Sequence, residues 1–273
     1  MAIIHGMSNA EYHSQPSVSS SMLKTILRSP AHYAYAYLSG LPKKDPTPQM
    51  ALGTLTHTCY LEPHRYDDDY VVAPQVDRRT KEGKAAYAES EALANGRTVV
   101  TEDQAALAEA MAASLRKHDV EMLIRDGGHI EASIFYTDTE TGHACRIRPD
   151  WHLPPCADWP TGIIVDLKTT DDARPEAFAR TCVSFGYDLS AAMYCDGFMQ
   201  EYGTDAPPLF ILLVVERDAP HGVMAYEISD EMLATGQRKY RQAMSILNEC
   251  AKNESWPCYP ADIQKLDLPK WAQ

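Results

Sequence analysis

Ile163, Ile164 and Val165 form an apolar, β-branched run bounded by a Pro-rich turn, which reads as a buried strand. The same reading predicts strands near 129–137, 143–152, 162–169, 208–217 and 222–228. It places helices near 175–184 and 187–202 and a long helix from about 230 to 252. This β-β-β-α-α-β-β-α order predicts an α/β fold with a mixed central sheet flanked by helices.

Upstream, Ser19, Ser20 and Ser21 offer caps for a helix over 22–28, and Ser29-Pro30 opens a second. Helices follow over 49–61 and over 80–95, the latter closed by Gly96, with a short strand at 70–73 between them. Thr101-x-x-Gln104 is a capping box opening an Ala-rich helix that reaches about residue 117. The organisation expected is a single domain: a mainly helical N-terminal part to about 125, a core over 126–255, and an extended aromatic tail over 256–273. That tail carries Trp256, Tyr259 and Trp271, and would dock on the body or on a neighbouring subunit.

The two segments that carry chemistry are Arg146-Ile-Arg-Pro-Asp150 and Asp166-Leu167-Lys168. Strand side chains repeat with period two, so Asp166 and Lys168 share a face while Leu167 points into the core. Asp150 ends the preceding strand, and Pro154, Pro155, Pro160 and Gly162 mark a connection able to bring the two strands together. Two carboxylates and an ammonium would then converge. Such a set suits a hard cation such as Mg²⁺, which takes carboxylate oxygens and completes its shell with water and phosphate. The cation would activate a water, and Lys168 would orient it or offset charge in the transition state. The competing reading is an exposed Asp166–Lys168 ion pair worth at most about 1 kcal/mol.

Composition narrows the classes. The longest apolar run, 209–215, falls far short of the roughly 20 residues that span a bilayer, so no membrane association is expected. The first residues lack the basic and apolar regions of a signal peptide, and a cytoplasmic location is expected. Seven cysteines with no C-x-x-C fit a reducing compartment, and nothing resembles an iron–sulfur ligand run. A net charge of −13 argues against a nucleic-acid partner unless positive charge is concentrated locally. Arg78, Arg79, Lys81 and Lys84 supply one concentration, which a solvated helix face explains equally well. Arg146, Arg148, Arg174 and Arg180 flank the acidic residues and could form a basic channel on an acidic body.

The order Pro149-Asp150, a gap, then Asp166-Leu167-Lys168 resembles the PD-(D/E)xK nuclease superfamily, with its restriction-endonuclease-like core. The segments 19–33, Gly53-Thr-Leu-Thr-His57 and 187–194 resemble the RecE-type (exonuclease VIII) phage exonucleases, and the similarity spans about 8–226. The resemblance implies His57, Asp150, Asp166 and the Leu167 carbonyl as metal ligands, Lys168 as the catalytic lysine, and Glu131 near a second metal position. It implies Tyr194 as the tyrosine of a Q-x-x-x-Y helix box, with Ser190 standing where the family has glutamine. DNA contacts would come from Ser19, Ser21, Lys24, Arg78, Arg79, Arg148, Thr169 and Ser190, although helix capping accounts for the serines at 19 and 21 as well.

The activity implied is 5′-to-3′ digestion of linear double-stranded DNA to 3′ overhangs. It would use one or two Mg²⁺ ions, replaceable by Mn²⁺, in a homo-oligomeric toroid, a tetramer, working with a phage single-strand annealing protein. A structure- or site-specific endonuclease with the same metal site, and a non-catalytic DNA-end-binding module, are the alternatives.

Overall fold

A computed structural model of the protein describes residues 2–41, 45–77, 79–125 and 127–268. The N-terminal part begins with β1 (Ala2–Ile4), α1 (Asn9–Ser14), α2 (Ser20–Arg28) and α3 (Pro30–Tyr33). It continues through α4 (Pro48–Leu61), α5 (Tyr66–Asp69), β2 (Tyr70–Ala73), α6 (Lys81–Ala94), β3 (Thr98–Thr101), α7 (Glu102–Leu115) and α8 (Val120–Arg125). Then come four strands: β4 (His129–Ile130), β5 (Ser133–Thr137), β6 (Ala144–Ile147) and β7 (Trp151–Leu153). The chain completes its core with β8 (Ile163–Thr170), α9 (Pro175–Phe185), α10 (Tyr187–Tyr202), β9 (Leu209–Glu216), β10 (Val223–Glu227) and α11 (Asp230–Asn253).

The central sheet has the order β10-β9-β8-β7-β4 and is mixed, because β8 and β9 run parallel while the other neighbours are antiparallel. Strand β8 is buried on both faces, which explains its near-continuous apolar start. Val165 and Leu167, with Leu213 and Val215 of β9, pack on Leu55 and Cys59 of α4 and on Ala108 and Met111 of α7. Ile164, Phe210, Leu212 and Val214 face the other way, toward Phe178 of α9 and Ala191, Cys195 and Phe198 of α10. Each fully buried Leu, Ile or Val contributes roughly 1.5–3 kcal/mol, so this two-faced burial fixes the register of β8. The residues that matter chemically ride on that register.

The two long strands predicted over 129–137 and 143–152 are each broken. Their outer halves, β5 and β6, pair with β1 in a separate three-stranded sheet, while their inner halves, β4 and β7, join the central sheet. At the break Glu131 has φ +48°, a left-handed conformation uncommon for a residue with a side chain. Its N–H donates to the Asp150 carbonyl at 3.0 Å, and Pro149, which has no N–H to offer a ladder, sits on the opposing strand. Strand periodicity continues through both sides of this corner, so hydropathy alone does not mark it. β1, β3 and α8 escape the sequence reading, and β1 and β3 are held by pairing with the distant β5 and β2.

The capping box of Thr101 and Gln104 is present, and Ser29 caps α3 through the His32 N–H at 3.2 Å. The tail docks on the body, with Trp256 stacked on Tyr33 at 5.3 Å and the Ala31 N–H donating to the Pro257 carbonyl at 3.0 Å. Trp271 lies outside the described residues. Five of the seven cysteines are buried, and all are unbridged. Among the described residues no helix is long and apolar enough to cross a membrane.

Helix α10 approaches the β5–β6 pair closely at Gly197, where an added Cβ would meet the Tyr136 ring at 2.7 Å and Ile147 Cδ1 at 2.9 Å. Gly to Ala normally gains a helix about 1 kcal/mol, whereas overpacking costs about 1–3 kcal/mol. Gly197→Ala is therefore expected to lower unfolding stability by up to about 2 kcal/mol. Urea denaturation that shows a gain would mean that α10 sits farther from the pair.

Candidate metal centre and active site

The corner of the bent hairpin gathers the acidic groups. Trp151 stands opposite Val165 in the β7–β8 ladder, so Asp150, one residue before it, stands beside Asp166. Asp150 thus stands between β6 and β7, immediately before β7, instead of closing the strand before it. Its Oδ2 accepts the Leu167 N–H at 2.5 Å, which fixes the carboxylate and leaves Oδ1 turned to His57 Nδ1 at 3.4 Å. Glu131 is delivered from the other side of the corner, with Oε1 3.8 Å from the same His57 nitrogen. His57 comes from α4 on the opposite face of the sheet, and its Nε2 lies 3.1 Å from the Leu167 carbonyl. Donor atoms of His57, Glu131 and Asp150 all lie within 4.8 Å of one another.

This trio shares His57 and Asp150 with the ligand set that the resemblance implies, and has Glu131 where that set has Asp166 and the Leu167 carbonyl. Asp166 does share a face with Lys168, and its Oδ2 is 2.5 Å from Lys168 Nζ. The ammonium also donates to the Leu167 carbonyl at 3.2 Å, so Leu167 presents its oxygen to the site and its side chain to the core. Asp166 is buried and Lys168 half-buried, so theirs is not the solvated surface pair of the competing reading. Among the described residues His57, Glu131 and Asp150 are the set able to hold a metal ion, with Asp166, Lys168 and the Leu167 carbonyl adjoining it. One imidazole and two carboxylates are donors suited to a divalent cation, and such a cation would offset the charge that the fold concentrates here.

The electrostatics show that concentration. Burial disfavours the charged imidazolium of His57, but Asp150 and Glu131 outweigh it and raise its pKa to about 10. Burial likewise works against the ionised Asp150, and the positive His57 and Lys168 overcome it, holding this carboxyl below its usual range. Asp166 and Glu131 are pushed up, chiefly by burial, with Asp150 adding repulsion against the partial relief from Lys168 and His57 respectively. Lys168 is raised because Asp166 and Asp150 overcome the cost of its burial.

The cluster lies in an open cleft of about 1530 Å³. Arg148 and Thr169 line it. Arg148 is largely engaged within the protein, donating to Ser133 Oγ at 3.0 Å, Asn9 Oδ1 at 3.2 Å and the Met7 carbonyl at 3.1 Å, and lying 4.0 Å over the Tyr12 ring. Lys24 reaches the cleft wall through Tyr187, with Nζ 5.6 Å from the ring centre. Tyr194 is half-buried on α10 and feels the fields of Tyr12, Asp166, Asp150 and Glu131, which add to burial in raising its pKa well above normal. Ser190 is buried in α10, and neither it nor Ser19 or Ser21 lines the cleft; the two N-terminal hydroxyls lie 3.0 Å apart. Arg79 is 93% exposed, pairs with Asp77 and lies away from the cleft, while Arg78 falls outside the described residues.

The expected basic channel is not what the cleft presents. Arg65, Arg97, Arg148, Lys168 and Arg217 are balanced by Glu62, Asp68, Asp69, Glu131, Asp150 and Asp171. Several of these cations are already occupied, Arg65 by Glu62 and Asp69 and Arg217 by Asp171. Tyr187, which lines the cleft within 5.4 Å of Lys168 Nζ, escapes the motif reading. Its spacing could have revealed it, since it stands three residues before Ser190 and seven before Tyr194 on one helical face.

A mixed sheet with a carboxylate–histidine–lysine cluster at its edge has the architecture of a PD-(D/E)xK-like nuclease domain. The chain belongs to the family described as PDDEXK-like domain of unknown function (DUF3799), whose model matches residues 19–268. In structure it is similar to a crystallised protein from Eubacterium rectale titled "Putative exonuclease", with a TM-score of 0.56, 11% identity and 97% of each chain covered. At that identity the likeness is one of fold. A protein named SSO0001 aligns over 72% of this chain and 86% of its own at 14% identity, with a TM-score of 0.32 that carries no argument. No curated protein matches the sequence.

Because His57 holds a proton up to about pH 10, a metal taking its nitrogen must displace that proton. Mn²⁺ binding at pH 7.5 is expected to release about one proton, read by calorimetry as a binding heat that varies with the ionisation heat of the buffer. The variation should vanish in His57→Gln. Buffer-independent heat in the wild type would show that His57 does not ligate.

Proposed function

We propose that the protein is a divalent-metal-dependent exodeoxyribonuclease of the RecE kind, one nuclease domain that digests linear double-stranded DNA 5′-to-3′ and leaves 3′ overhangs for strand annealing. The observation that carries the reading is the convergence of His57, Glu131 and Asp150 beside the Asp166–Lys168 pair in one open cleft. The fold likeness to a protein titled as an exonuclease supports the choice of exonuclease over endonuclease. Mg²⁺ is the cofactor proposed, and Mn²⁺ would substitute readily because an imidazole belongs to the donor set. A toroidal homo-oligomer, a tetramer, and a phage annealing protein as partner complete the proposal.

A bound divalent cation would polarise the scissile phosphate and lower the pKa of an attacking water. The chain supplies the rest. Asp150, anchored by the Leu167 N–H, offers a fixed oxygen, and Glu131 offers a second from the far side of the corner. Lys168 stays protonated at neutral pH and is held by Asp166 where it can orient the water and balance charge developing on the phosphate. Tyr194 stays protonated and packs against Phe210 behind the carboxylates.

Lys168→Met and Asp150→Asn are expected to lower the rate of nucleotide release from linear duplex by a factor on the order of 10²–10³ or more. Chelation should abolish release, and covalently closed circles should remain intact. Nicking of closed circles would favour the endonuclease, and end binding with no cleavage under any divalent cation would favour the binding module. With five cations in the cleft and Lys24 at its wall, the dependence of log K on log salt should be no steeper than about −5.4, at roughly −0.9 per phosphate neutralised. A slope near twice that, from filter binding in Ca²⁺, would place the main DNA surface elsewhere.

A further inference from the structure

The wall of the cleft beside Lys168 carries an aromatic surface that the metal chemistry does not use. Helix α9 ends at Phe185, Gly186 turns the chain in the left-handed region at φ +61°, and α10 starts at once with Tyr187. This tight turn brings the two rings together, 5.8 Å between centres and 19° from parallel. Phe185 is 61% exposed, as is its neighbour Val183 at 71%, and Phe185 and Tyr187 both line the cleft. On the Tyr187 ring sit two ammonium groups, Lys168 at 5.4 Å and Lys24 at 5.6 Å.

We infer that Phe185 and Tyr187 form a stacking ledge for one unpaired nucleobase next to the scissile phosphate. The inference deepens the nuclease reading and rests on it. A flat aromatic surface left exposed in a cleft gains most when a second flat, apolar face covers it, and every nucleobase has one. Within a duplex those faces are already covered by neighbouring bases. A nucleotide turned out of the helix, or one in a single strand, offers a free face to cover the ledge, whereas a base pair at a duplex end offers only its outer one. The cations fit the same occupant, because a base on Phe185 would hold its phosphate toward Lys24 and Lys168. The ledge therefore suits a substrate whose reacting nucleotide is unpaired when it is cut, and it makes Phe185 a positioning residue.

The test is a cycle of substrate and protein changes with the full chain and Mn²⁺. Removing the base of either nucleotide flanking the scissile phosphate should lower kcat/KM by about 5- to 100-fold in the wild type, the range expected for one stacked base. Phe185→Ala should cause a similar loss on intact DNA and little further loss on the abasic substrate. Phe185→Trp should keep the rate, and Phe185→Leu, apolar but not planar, should not. Independently of cleavage, 2-aminopurine at the reacting position should lose fluorescence on binding in Ca²⁺, and Phe185→Ala should restore it. Losses that add across the cycle, or emission unchanged by Phe185→Ala, would overturn the ledge while leaving the nuclease reading intact. Absence of any cleavage by the wild type would instead sink the nuclease reading, and the fluorescence change would then decide the ledge alone.

Discussion

The hydrogen bond from the Glu131 N–H to the Asp150 carbonyl closes the corner of a hairpin that serves two sheets at once. Were β4–β5 and β6–β7 straight, their residues would stay in one sheet and alternate between its faces. The bend instead sends β5 and β6 to pack under α2, α10 and α11, and β4 and β7 into the central sheet. The two residues that straddle the bend, Glu131 and Asp150, are left facing His57 of α4. A left-handed φ at a residue with a side chain costs of order 1–3 kcal/mol, and the surrounding ladders hold it there.

The gathered charges set the chemical character of the site. Three carboxylates crowd one imidazole and one lysine, and the outcome is uneven. Asp150 is kept ionised by its amide and cation partners, whereas burial and mutual repulsion oppose charge on Asp166 and Glu131. A site built in this way favours whatever brings positive charge, and in the chain alone the proton on His57 fills that part. The scaffold tolerates the repulsion because β8, which carries Asp166 and Lys168, is locked on both faces by apolar cores.

Much of this can be read from the chain because the strongest signals are local. The alternation of Asp166, Leu167 and Lys168 needs no tertiary knowledge, and the core helices and strands fall close to their expected places. The corner is less legible, since the period-two alternation of Ile130, Ala132, Ile134 and Tyr136 runs unbroken across it and nothing in the side chain of Glu131 announces a left-handed backbone. Pro149 and the pair Gly127-Gly128 are the only local hints. For the basic run from Arg78 to Lys84, sequence clustering says nothing about which surface the segment faces, and Arg79, just before α6, does not line the cleft. Phe185 and Tyr187 become conspicuous only once the turn at Gly186 sets their rings side by side.

The most direct test of the central claim is anomalous diffraction from crystals soaked in Mn²⁺. The account predicts a strong peak at coordination distance from His57, Glu131 and Asp150, at the corner of the hairpin. A peak held by other residues, with these three left unliganded in a protein that cleaves DNA, would contradict it.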